Sequence, residues 1–159
     1  MDTQQTERAA EWLARAQQEP GHAWHEWAET GVALLPLGRR FVAPRLAEAL
    51  VHAAVGTRAP GAVATCLEEL LDGPVIYDDR TMGGTYYPLM GLLRGQVWKH
   101  QAVAPLLAEG TYLGVPRIGR KPPGTQWAVP PRRAGDLCEP AAVDALITLA
   151  CTAARQAEQ

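Results

Sequence analysis

Two neighbouring carboxylates, Asp78 and Asp79, followed by Thr81-Met82-Gly83-Gly84-Thr85-Tyr86-Tyr87, form the stretch of this 159-residue chain best suited to chemistry. A carboxylate pair can hold a divalent metal ion, but the spacing here works against that use. Successive side chains on a strand point to opposite faces, so adjacent aspartates cannot share one ion without a bulge or turn between them. Gly83-Gly84 reads first as a turn that needs positive φ, because a lone glycine pair is a weak phosphate signal. Tyr86, just beyond it, is a neutral phenol at pH 7 that can donate a hydrogen bond.

The second candidate is electrostatic. Net charge is −2 overall but −5 over residues 1–80 and +3 over 81–159. Between 91 and 133, Arg94, Lys99, Arg117, Arg120, Lys121, Arg132 and Arg133 face Glu109 alone, a local +6 that favours a phosphate-bearing partner. Trp98, Tyr112 and Trp127 are interleaved with these cations. That mixture serves phosphate contact and base stacking on single-stranded nucleic acid, while Tyr112 and Trp127 also read as cross-strand core partners. Arg117, Arg120 and Lys121 fall in a Gly/Pro-rich loop, and Arg132 and Arg133 follow the next strand, so both groups are expected at one end of a hairpin.

The remaining constellations are weaker. His22 and His25, with Glu26 behind them, could form a metal-binding helix edge, but the spacing lacks the HExxH coupling of ligand to base, and Trp24 and Trp27 mark a packed aromatic segment. His52 reads as a structural residue. Cys66, Cys138 and Cys151 form no CxxC pair and read as buried thiols, poor nucleophiles. GxSxG, P-loop and GxGxxG motifs are absent from the sequence.

The elements that must carry these residues follow from period and punctuation. Helical apolar stripes run through Ala9/Trp12/Leu13/Ala16, Leu46/Ala49/Leu50/Ala53, Val63/Leu67/Leu70/Leu71 and Val143/Leu146/Ile147/Ala150/Cys151/Ala154, each bounded by Pro or Gly. Short strands are predicted at Val32–Leu37, Val75–Tyr77, Thr85–Leu89, Thr111–Val115 and Gln126–Val129. One hairpin turns through Asp79–Gly84, and another joins 111–115 to 126–129 across the basic loop 116–124. The pattern is α+β: a small antiparallel sheet with helices packed on one face, the last helix laying its Val143 stripe on the sheet. Length and the 47% apolar composition fit a single domain over 1–159, with 1–30 as an N-terminal helical extension. The longest apolar runs fall short of the roughly 20 residues of a membrane span. The polar start MDTQQTERAAE lacks the features of a signal peptide, so a cytoplasmic protein with no membrane partner is expected.

The tract GTYLGVPRIGRKPPGTQWAVPP, through Gly110, Tyr112, Pro116, Gly124, Trp127 and Pro130, resembles the closing hairpin of the bifunctional primase-polymerase domain of the archaeo-eukaryotic primase superfamily. TMGGTYY resembles that family's Gly-Gly-x-His turn, which carries a nucleotide-binding histidine. ALLPLGRRF followed by a helix, then GPV opening a strand, resembles small actinobacterial proteins related to the domain. The likeness spans about residues 31–150 in compressed form. It implies a remnant nucleotide site at Asp78, Asp79, Gly83, Gly84 and Tyr86. The departures lie in the catalytic parts: the family's carboxylates stand two apart, and its histidine aligns with Tyr86.

These readings converge on a non-catalytic module that binds nucleic acid or a nucleotide, with Arg117, Arg120, Lys121, Arg132, Arg133 and Trp127 as phosphate and base contacts. No catalytic residue, metal ligand or cofactor is assigned. The rival readings are a metal-dependent nucleotidyl transferase using Asp78 and Asp79, and a protein-interaction adaptor built on exposed aromatics such as Trp24 and Trp27.

Overall fold

The structure is a computed structural model that describes residues 2–80 and 83–158. Helices α1 (Thr3–Ala14) and α2 (Pro20–Thr30) lead into strand β1 (Val32–Pro36). Short strands β2 (Ala43–Pro44) and β3 (Leu46–Ala47) precede α3 (Glu48–Val55) and α4 (Pro60–Leu71). Then come β4 (Val75–Asp78), β5 (Thr85–Pro88), β6 (Leu106–Leu107), β7 (Tyr112–Pro116), β8 (Thr125–Val129) and α5 (Pro140–Ala157). Proline stands at the first turn of α2, α4 and α5, where its missing N–H has no helical acceptor to lose. Asp2 caps α1 by accepting from the Gln4 N–H at 3.2 Å.

The domain is α+β, with every strand ladder antiparallel. Its main sheet has the order β3-β5-β4-β8, and β1-β7 and β2-β6 form two-stranded ribbons. Alternation along β4 divides the interior in two. Val75 joins a cluster with Leu46, Val63, Leu67, Tyr86 and Ile147, whereas Ile76 joins Trp27, Leu35, Phe41, Leu113 and Val115. The sheet is therefore covered on both faces, by α3, α4 and α5 on one and by the β1-β7 ribbon with α1 and α2 on the other.

Five expectations need correction. Helices flank both faces of the sheet instead of one, because the N-terminal helices carry their own apolar stripe to the β1-β7 ribbon. The 111–115 and 126–129 segments form no hairpin: β7 pairs with β1, placing Val115 opposite Ala33 and Leu113 opposite Leu35, and β8 pairs with β4. The first pairing gathers four apolar side chains into one core, and the carbonyls of Val115 and Pro116 accept from the indoles of Trp27 and Trp127, both at 2.9 Å. Leu46 lies in β3, with its helix beginning at Glu48, and Leu70 is 47% exposed, outside the buried α4 stripe of Val63, Leu67 and Leu71. The buried α5 stripe of Val143, Leu146, Ile147 and Ala150 packs mainly on α3 and α4, and reaches the sheet only through the shared cluster. The 75–78 and 85–88 pairing is present as expected, although Thr81 and Met82 of its connection lie outside the described residues. No helix among the described residues is long and apolar enough to cross a membrane.

Candidate functional site

Asp78 ends β4 and Asp79 lies just beyond it, and their carboxylates are committed to different partners. Asp78 is 6% exposed and accepts from Arg80 three times: from the backbone N–H at 2.9 Å, from Nε at 2.9 Å and from Nη2 at 2.8 Å. These charge-assisted bonds hold its carboxyl below the usual range, outweighing the desolvation that pushes it up. Asp79 Oδ1 accepts from the Gly124 N–H at 2.8 Å, tying the end of β4 to the loop before β8. Among the described residues, no group of three or more His, Cys, Asp and Glu side chains is placed to hold a metal ion.

The Asp78 pair has a testable pH signature. Its pKa is lower folded than unfolded, so the stability it confers is complete above the unfolded value near pH 4 and is lost as pH falls through the folded value. Arg80 is 61% exposed, and solvent screening limits the contribution to about 1 kcal/mol. Urea melts of Asp78→Asn are expected to fall below the parent at pH 7 and to converge on it as pH falls through the folded value. A gap that stays constant across this range would contradict the assignment.

The aromatic residues beside the aspartates line a cleft. The Tyr77 hydroxyl donates to Glu48 Oε2 at 2.7 Å, and the Tyr77 and Tyr86 rings lie 4.6 Å apart at 46°. Gly84, at φ +64, has no room for a side chain: a Cβ would fall 2.5 Å from both Glu48 Oε2 and the Tyr77 hydroxyl. The cleft encloses about 760 Å³ between Glu48, His52, Arg58, Tyr77, Gly83 and Tyr86, among others. Tyr86 is 4% exposed as a residue, and its hydroxyl, without a protein hydrogen-bond partner among the described residues, opens on the cleft. Burial first, and Glu48 second, push its pKa up, so it remains a donor. Burial followed by the Glu48 hydrogen bond does the same to Tyr77. Of these residues the sequence pointed to Gly83, Gly84 and Tyr86. Glu48 and His52, one helical turn apart on α3, were legible as a same-face pair but not as neighbours of Tyr86.

The basic residues are divided. The loop 117–124 precedes β8 and residues 130–136 follow it, so Arg117, Arg120 and Lys121 stand at one end of the strand and Arg132 and Arg133 at the other. Arg120 Nη1 donates to the carbonyls of Pro123 at 3.1 Å and Thr125 at 2.7 Å, bracing its own loop. Arg132 ties Asp136 and Asp72 together, donating to Asp136 through its backbone N–H, Nε and Nη2 and pairing with Asp72 at 2.8 Å. Arg117, Lys121 and Arg133 are exposed. Trp127 is partly buried, with its indole N–H given to Pro116, whereas Tyr112 stands 65% exposed.

His22 pairs with Glu19 at 3.0 Å on the surface of α2. Glu26 accepts from the Gln17 side chain at 2.9 Å and from the Leu34 N–H at 3.2 Å, which fixes α2 against β1. Trp24 packs edge-on against Trp27 at 5.3 Å. Cys138 is buried, and desolvation, reinforced by Asp136, pushes its thiol up to about 12. No family model, curated protein or solved structure matches this chain.

Proposed function

We propose that the protein is a non-catalytic nucleotide- or nucleic-acid-binding module of primase-polymerase descent, with its ligand entering the cleft in front of Tyr86. The observation that carries this reading is the Tyr86 hydroxyl, which has no protein partner among the described residues and opens on the cleft. A ligand acceptor in the cleft can take the hydrogen bond that this phenol otherwise gives to solvent, while the rest of the ring stays fixed in the core. Arg58 offers a charge for phosphate and His52 a further hydrogen-bonding edge, on a wall that includes two phenol rings. The non-catalytic part rests on Asp78 and Asp79, whose carboxylates are tied to Arg80 and Gly124. The exposed cations Arg117, Lys121 and Arg133 can extend contact to a single strand, each adding about 0.7 to the log–log salt slope.

Tyr86→Phe separates this reading from its rivals, because it deletes only a hydroxyl that has no protein partner. Its melting temperature should match the parent, while calorimetric affinity for nucleoside triphosphates or short single strands should fall roughly three- to tenfold. An unchanged affinity, or no binding by the parent at low salt, would overturn the proposal. In the latter case the adaptor reading gains weight, since an apolar groove between Trp24, Trp27, Ala28 and Ile118 is open on the opposite layer. Template-dependent incorporation abolished by Asp78→Ala would instead restore the transferase.

A further inference from the structure

A second cleft lies where the 38–41 turn and the end of α1 meet the 91–96 segment and the start of α5. It encloses about 840 Å³, and none of its lining residues borders the Tyr86 cleft. Arg15, Arg39, Arg40 and Arg94 line it together with a single carboxylate, Glu139. Arg15 pairs with Glu11 at 2.8 Å, and the Arg40 guanidinium lies 5.7 Å from the centre of the Trp12 ring, which stacks on Phe41. Arg39 and Arg94 have neither an ion pair nor a side-chain hydrogen bond among the described residues.

Unpaired guanidiniums gathered around one concavity repel each other unless an anion lies between them. Arg94 also adopts φ +50, a left-handed backbone that residues with a side chain occupy at a cost, and one that glycine would meet more easily. The first turn of α5 adds the positive end of an 18-residue helix to the same wall.

We propose that this cleft binds a small molecule carrying a diphosphate group, held by the planar forks of Arg39 and Arg94 with Arg40 and Arg15 at its sides. Guanidinium forks match paired phosphate oxygens, and the enclosed volume falls within the range of small-ligand sites. A nucleic-acid backbone fits it less well, because a polymer needs a basic track leading outward and the surroundings carry Glu139 and the Glu11 carboxylate.

Isothermal titration with inorganic pyrophosphate at low ionic strength tests the assignment, using the parent chain, Arg39→Ser, Arg94→Gly and the double variant. Arg94→Gly removes the guanidinium while relieving the left-handed backbone, so its melting temperature should hold or rise. The parent should bind one equivalent, each single variant should weaken binding about tenfold, and the double variant should abolish it. Adenosine should not compete and ADP should, which separates diphosphate from base recognition. Tyr86→Phe should leave pyrophosphate affinity unchanged; if it alone removes binding, the anion sits in the other cleft and this proposal fails while the nucleotide reading survives. Absence of pyrophosphate binding by the parent overturns the proposal, as does binding that persists in the double variant. So does arginine-dependent binding confined to oligonucleotides.

Discussion

Phe41→Ala is expected to destabilise the protein by about 3–5 kcal/mol, the range for deleting a fully buried aromatic ring. Phe41 has no exposed surface, packs in the cluster with Leu35, Ile76 and Leu113, and stacks on Trp12 with ring centres 6.1 Å apart at 28°. Its carbonyl also accepts the Gly38 N–H at 2.9 Å, closing the turn that carries Arg39 and Arg40. For a domain of this size the loss corresponds to a fall of about 6–20 °C in melting temperature. Since whole domains have only about 5–15 kcal/mol of stability, a sizeable unfolded fraction at 37 °C is a realistic outcome. Phe41→Leu should recover most of the loss by refilling the volume. A Phe41→Ala protein that melts within 2–3 °C of the parent would mean that this side of the sheet is far less tightly packed than described.

The second large effect is Gly38→Ala, expected to cost about 2–5 kcal/mol from two sources. Gly38 sits at φ +94, and an added Cβ would fall 2.6 Å from the Glu109 backbone nitrogen and 2.7 Å from its Cα. The obstacle is main chain, which cannot rotate away as a flexible side chain would. Gly110→Ala provides the control. Gly110 has nearly the same φ, +95, but a Cβ there meets nothing within 4 Å, so only the conformational cost of about 1–2 kcal/mol applies. Chemical denaturation of the pair should show Gly38→Ala as the clearly less stable protein. Equal losses would mean that the approach of the 38–41 turn to Glu109 is not rigid.

The sequence by itself determined the helices and the longer strands with their punctuation, but not the two-residue strands β2, β3 and β6, into one of which Leu46 falls. Helical stripes such as Val143/Leu146/Ile147 and strands bounded by glycine or proline depend on contacts within a few residues of one another, and these are legible from spacing. Alternation along a strand predicted that Asp78 and Asp79 would diverge, but Asp79 lies beyond β4, and it is Arg80 and the Gly124 N–H that commit the two carboxylates to different partners. Partnership between distant segments was decided only by the tertiary structure. Nothing near Tyr112 specifies that β7 should pair with β1, some 80 residues earlier, and not with β8; burying Ala33, Leu35, Leu113 and Val115 together does. Side-chain availability followed the same division. Arg120 and Arg132 count as free charges in a sequence, and they lose that freedom only when carbonyls and Asp136 come within reach. Conversely, Arg39 and Arg94 lie 55 residues apart and face one cleft only because the 38–41 turn and the 91–96 segment are brought to the same end of α5. Local physics fixes what each segment is, while long-range packing fixes what it meets, and ligand sites belong to the second.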